Sequence, residues 1–145
     1  MIEDDIRTYL LTQSPITTLV GTDASGSMAR IYAISRQQGI TADSISMRRV
    51  GTNHVHNLIG GAGFGTAVIE FDCVSLTYSG AKTLGNTLRG ELQGYAGTMG
   101  SATISSVILD DEQDEFDEAI DASQKGQFHC IQMYSFLFAE TVPSF

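Results

Sequence analysis

Apolar positions along this chain change their period from helical to strand-like, back to helical, and to strand-like again. Ile2, Ile6 and Leu10, with Tyr9 beside them, recur at helical spacing. Glu3, Asp4 and Asp5 fall in the first turn, where carboxylates suit the helix dipole. Pro15 restricts Ser14 and so ends this helix near Gln13. SPITTLVG then reads as a short helical turn, with Ser14 as cap, Pro15 at its first position and Gly21 as its stop. TDASGSM reads as a flexible loop. From there the period is two. ARIYAIS is a short strand, and SISMRRV sets Ile45 and Met47 against Arg48. TAVIEFDCVSL places Ala67, Ile69, Phe71 and Cys73 on one face and Glu70 and Asp72 on the other, as in a half-buried antiparallel strand.

Helical spacing returns in YSGAKTLGNTLRGELQGY, where Ala81, Leu84, Leu88 and Leu92 make an apolar stripe and Ser79 is a plausible cap. Gly85 and Gly90 each cost such a helix about 1 kcal/mol relative to alanine, a cost that close packing on a sheet would explain. TISSVILDD and QFHCIQMYSFLFA are the last two strands. In the final one, Phe128, Cys130, Tyr134, Phe136 and Phe138 share one face with Gln132, while Ile131, Met133 and Leu137 share the other. A strand apolar on both faces is covered on both, and with only two substantial helices one cover is expected to be another subunit. The fold expected is α+β: a mostly antiparallel sheet of four to five strands with two main helices packed on one face. The chain, residues 1–145, fits one domain with loop arms at about 53–65 and 110–126.

Charge sharpens this picture. The net charge is −9, but residues 110–121, DDEQDEFDEAID, hold 8 acids and no base, while the rest of the chain carries 9 acids and 8 bases. A nearly neutral domain thus bears one acidic segment between its last two strands. Without a basic stripe, nucleic acid is not expected as a tightly held ligand. No apolar run approaches a membrane span. The acidic start, MIEDDIRTYLL, is unlike a secretory signal. Cys73 and Cys130 lie in strand-like runs without metal spacing and read as reduced core residues of a cytosolic chain, with a disulfide as the alternative.

Four stretches invite a chemical reading, and each has a plainer one. In HVHNLIGGAGFG, residues 54–65, the glycines fall short of a dinucleotide fingerprint because Thr66 stands where the third glycine belongs. A P-loop lysine is missing too, and a strand follows rather than a helix N-terminus that would hold phosphate. His54 and His56 are two imidazoles where zinc wants three or four ligands, so surface or interface histidines are the better reading. Asp110, Glu112 and Asp114 alternate as in a calcium loop, but Glu115 occupies the position that needs glycine. These acids read as a solvated or interface arm rather than a catalytic pair. No serine sits in a nucleophile elbow, and His129 and Cys130, being adjacent on a strand, point to opposite faces. No catalytic, cofactor or metal residue is assigned.

ARIYAIS, RVGTNHVHNLIG, VIEFDCVSLTYSGAKTLGNTLRGELQGYAGTMG and ISSVILDDEQDEFDE follow one another in an order that resembles the tail-completion, or tail-terminator, proteins of long-tailed bacteriophages. The resemblance runs over nearly the whole chain. Its most specific parts are Phe71–Cys73, the TYSGAKTL that opens the second main helix, and the LDDEQD that leads into the acidic arm. Departures are Val74 where the family commonly has Trp, Ala33 where it often has Pro, and TDASGSM as a short insertion. The resemblance implies a non-enzymatic virion protein without cofactor, assembled in the host cytoplasm. It would form a ring, usually of six copies, on the head-proximal end of the tail tube, stop tube growth and join the head connector or stopper. DNA would pass through the lumen without sequence-specific binding. Another neck protein, or a small acidic ligand-binding module, are the alternatives. The residues expected at assembly interfaces are His54, Val55, His56, Leu58, Ile59 and Phe64 in the first arm, Asp110, Asp111, Glu112, Asp114, Glu115 and Phe116 in the second, and Ile131, Met133 and Leu137 on the last strand.

Overall fold

The computed structural model describes residues 2–21, 30–33, 43–58, 60–118 and 126–140. The i, i+4 stripe of Ile2, Ile6 and Leu10 forms the buried side of α1 (Ile2–Leu11). Helix α2 (Ser14–Val20) follows, with Gln13 rather than Ser14 at its cap position, no side-chain cap bond, and Gly21 closing it at φ +63°. The strands are β1 (Ile31–Ala33), β2 (Ser44–Asn57) and β3 (Gly60–Ser75), then, after α3 (Tyr78–Leu92), β4 (Gly97–Met99), β5 (Ala102–Asp117) and β6 (Gln127–Ala139). The cap of α3 is Thr77, whose side chain accepts from the Gly80 amide at 3.0 Å, and not Ser79.

The six strands form one sheet in the order β1-β2-β3-β6-β5-β4. β1 runs parallel to β2, and every other pair is antiparallel. The expectation of a four-to-five-stranded, mostly antiparallel sheet with two main helices is therefore corrected to a six-stranded mixed sheet with three helices. Alternation along a strand says which residues are buried but not which way its neighbour runs, so the parallel β1–β2 pair leaves no mark in the sequence. A three-residue strand such as β4 is too short to show a period at all.

The helices cover one face. Ile45, Met47, Ala67, Ile69, Phe71, Cys73, Ile104, Val107, Cys130, Tyr134 and Phe136 line it and share one core with the buried stripes of α1, α2 and α3. Phe71 meets Tyr134 edge-on at 5.6 Å between centroids, and Phe136 at 6.4 Å, the offset geometry that aromatic rings favour. Buried among them, Gln132 bonds fully through its amide. Its Nε2 donates to the Gly85 carbonyl and to Glu112 Oε2, both at 3.0 Å, and its Oε1 accepts from the Tyr134 hydroxyl at 2.7 Å. Burial pushes the Tyr134 hydroxyl pKa far upward, so it stays a donor. Gly85 is where α3 sits down on β6: a Cβ there would lie 2.6 Å from Cys130 Sγ. Gly90 faces open space, so close packing explains one helix glycine and not the other.

Among the described residues, the opposite face of the sheet carries no helix. Ile131 is buried there by its strand neighbours, Met133 and Leu137 are half-buried, and Ile108 is 54% exposed.

Candidate functional site

The hairpin of β2 and β3 is longer than the sheet it belongs to. β3 pairs with β6 only from Phe64 onward, against Ala139, while Gly60 and Gly61 pair with β2 alone and the Gly63 carbonyl accepts from the Glu140 amide at 2.9 Å. Residues 53–65, expected as a loop arm, are thus two paired strands closed by a tight turn, with Asn57 opposite Gly60. Gly60 (φ +141°) and Gly63 (φ +85°) occupy backbone regions that disfavour a side chain, and the Asn57 carbonyl oxygen Oδ1 accepts from the Gly60 amide at 3.1 Å. The glycines shape a turn and an irregular strand; no helix N-terminus follows them to hold phosphate.

The side chains on this arm face water. Leu58 at the turn is fully exposed, and Val55 and Phe64 are exposed. His54 does not share a ligand set with His56: its Nδ1 lies 2.7 Å from Glu140 Oε2, across the sheet register that shifts between the two histidines. Ile59 lies outside the described residues. Among the described residues no group of three or more His, Cys, Asp or Glu is arranged to hold a metal ion.

The acidic segment begins as strand rather than loop. β5 runs to Asp117 and pairs with β6 along its whole acidic stretch, Asp111 with Met133 through Asp117 with Gln127. Strand alternation then sorts the carboxylates. Glu112 and Asp114 face α3, where Lys82 Nζ lies 3.1 Å from each and Tyr78 donates to Asp114 at 3.1 Å. The two carboxylates push the Lys82 pKa upward, so the ammonium is fixed. Phe116, on that side, stacks obliquely on Phe128 with centroids 4.7 Å apart, yet remains 52% exposed. Asp111, Glu115 and Asp117 face the other side. Asp110 sits where the register shifts and accepts from the Ser135 hydroxyl.

Sequence reading did not anticipate His129. It lies opposite Glu115 on the helix-free face, with its side chain only 9% exposed and held between two strands. Nδ1 is 2.8 Å from Asp72 Oδ1 on β3, and Nε2 is 2.9 Å from Asp117 Oδ2 on β5, close enough for an ion pair though not aligned as a hydrogen bond. Asp72 chiefly raises its pKa above the usual 6.5, with burial opposing. Asp72 and His129 lie 57 residues apart, and only the strand register brings them together. The acidic strand is therefore fastened on both faces, by Lys82 and by His129. The two cysteines sit directly opposite one another on β3 and β6 as buried free thiols.

Of the residues expected at interfaces, the arm at 53–65 and the acids of β5 lie at opposite sides of the sheet, and Ile131, Met133 and Leu137 lie between them on the helix-free face. Six of the seven large apolar side chains exposed among the described residues fall on these strands: Val50, Val55, Leu58 and Phe64 on one hairpin, Ile108 and Phe116 on β5. The seventh, Tyr78, bonds Asp114.

Neither a family model nor a curated sequence relative matches the chain. Its fold is similar to that of a chain in the virion of a native gene transfer agent particle, with a TM-score of 0.64, 8% sequence identity, and 92% of each chain covered. At that identity the likeness is one of fold.

Proposed function

We propose that this chain is a structural protein of a phage-type virion with the role of a tail terminator. In this reading it forms a ring of six copies on the head-proximal end of the tail tube, stops tube polymerisation and joins the tail to the head connector or stopper. The observation that carries the reading is the fold likeness to a virion chain, which spans 92% of both molecules. It agrees with the sequence resemblance to tail terminators described above. The contact residues are those of the two arms and the helix-free face: His54, Val55, His56, Leu58, Ile59 and Phe64, Asp110 to Phe116, and Ile131, Met133 and Leu137. A lumen that passes DNA is served by an acidic protein, because like charges do not grip.

Electron microscopy of lysates from a phage in which this gene is silenced tests the role. Overlong tubes beside detached, filled heads are the expected result. Tubes of normal length beside detached heads would make the chain another neck protein, and intact virions would remove it from the neck.

A further inference from the structure

Among the described residues, both outer strands of the sheet are short. β1 pairs with β2 only through Ile45, Ser46 and Met47. β4 pairs with β5 only from Ala102 to Ile104, and the Gly94 amide donates to the Val107 carbonyl. Beyond these contacts, β2 from 48 to 57 and β5 from 108 to 117 have no ladder partner on their outer side among the described residues. These are two runs of equal length, and nearly every residue in the acidic part of β5 and in the β2 run is exposed. An unpaired strand edge of that length is a template for another strand.

The runs differ in charge. The β2 run carries Arg48, Arg49, His54 and His56 and no carboxylate; the β5 run carries Asp110, Asp111, Glu112, Asp114, Glu115 and Asp117 and no base. Arg48 and Arg49 each hold one carboxylate of their own chain, Glu70 and Glu3, but their side chains stay 58% and 48% exposed, so both can take a second. Each run also shows two exposed apolar side chains, Val50 and Val55 on β2, Ile108 and Phe116 on β5. Two β5 edges brought together would oppose carboxylate to carboxylate, which is unfavourable across a ladder. A β5 edge against a β2 edge opposes acid to base.

We propose that the free edge of β5 in one copy of this chain adds to the free edge of β2 in the next copy, making one continuous sheet around the ring. This rests on the ring reading above and specifies its contact. β2 and β5 run in opposite directions within one subunit, because three antiparallel pairings separate them. A rotation that keeps the strands upright therefore makes the junction antiparallel, like the pairs on either side of it. The contact uses two different surfaces per subunit, as a ring requires and a twofold dimer does not.

The register supplies a geometric condition. Ile108, Ser135, Val68 and Gly51 share one row across the sheet, so the centre of the β5 run lies five to six residues below the centre of the β2 run. That is roughly 18 Å along the strands, against roughly 19 Å across the four strands from one β2 to the next. Aligning the runs inclines the strands to the ring axis by about 45°, at the upper end of the tilt usual for closed barrels. In that register Thr52 of one copy lies opposite Gln113 of the next, and β1 and β4 fall beyond the two ends of the junction, which their shortness allows.

Sedimentation of the full-length chain over a concentration series, with two variants, tests the proposal. In Thr52→Cys/Gln113→Cys, oxidation is expected to give a ladder of disulfide-linked oligomers, with the 52–113 bond identified by mass spectrometry. Asp111→Arg changes a carboxylate that lies opposite Met133 and holds no ion pair among the described residues, and is expected to weaken association by roughly tenfold or more while the thermal midpoint holds. An oligomer that lacks the 52–113 bond and ignores the charge reversal overturns edge pairing and leaves the ring reading standing. A chain that stays monomeric at every concentration also overturns edge pairing as the assembling contact, whereas the ring reading falls if silencing the gene leaves tubes at normal length or virions intact.

Discussion

Two glycines on one helix predict opposite outcomes for the same substitution. Gly85 and Gly90 both lie within α3, and replacing a helix glycine by alanine is worth about 0.5–1 kcal/mol in backbone entropy. At Gly90 a Cβ meets nothing within 4 Å, so Gly90→Ala keeps the whole gain. At Gly85 the Cβ would stand 2.6 Å from Cys130 Sγ, 3.2 Å from Gln132 Nε2 and 3.4 Å from Cys130 Cβ. Neither neighbour yields easily: Cys130 belongs to a strand paired on both sides, and Gln132 is tied by three hydrogen bonds. Overpacking of this kind costs about 1–3 kcal/mol, which exceeds the entropy gain and leaves a net loss of about 1–2 kcal/mol. For a chain of this size 1 kcal/mol moves the midpoint by about 3–4 °C. Gly90→Ala should therefore raise Tm by about 2–4 °C, and Gly85→Ala should lower it by about 3–8 °C, read by circular dichroism with urea melts as a check. Adding Cys130→Ala removes the clashing sulfur, so Gly85→Ala should cost at least about 1 kcal/mol less in that background. If Gly85→Ala stabilised as Gly90→Ala does, or showed no coupling to Cys130, the seating of α3 on β6 described here would be wrong. The same seat holds Lys82 against the acidic strand, so it bears on that edge as well as on stability.

Other consequences follow from the polar contacts. Gln132→Leu strands the Glu112 carboxylate oxygen and the Tyr134 hydroxyl and should cost about 2–3 kcal/mol in urea denaturation, part of it recovered by adding Tyr134→Phe. His129 has its pKa raised in the folded state, so its contribution is fully present below about pH 6.5 and is lost as pH rises through the higher folded value. The stability gap between the native chain and His129→Asn should accordingly be widest at pH 6 and narrow toward pH 9, and a gap that widened with pH would reverse the assignment. Burial drives the Cys73 thiol well above its usual range and Cys130 up to about 11, so neither should react with a thiol reagent at pH 8 until urea unfolds the chain. Leu58→Ser/Phe64→Ser touches only exposed side chains and should leave stability within about 0.5 kcal/mol, while abolishing tail joining in a complementation assay.

The long periodic elements were legible in the sequence. The i, i+4 stripes of α1 and α3, the alternation of Ala67 to Cys73 and the two apolar faces of β6 each bury or expose what their period dictates, because burial on a single helix or strand is a local pattern. The short pieces were not. β4 has no room for a period, and the caps of α2 and α3 fell one or two residues earlier than the most familiar capping residues suggested. The acidic stretch read as a loop because carboxylates are poor strand formers; it is a strand because β6, with its large apolar side chains, offers it a full ladder and because Lys82 and His129 neutralise part of its charge.

The sequence by itself determined that the chain folds around amphipathic elements, that its acids are concentrated before the last strand, and that apolar side chains sit where no core of its own can take them. Tertiary structure alone decided the direction of β1, the strand order, and hence which residues meet: His129 with Asp72 and Asp117, Gln132 with Tyr134 and Glu112, Gly85 with Cys130. These pairs depend on register between strands far apart in the chain, which no local period encodes. The same register leaves a basic edge on one side of the sheet and an acidic edge on the other.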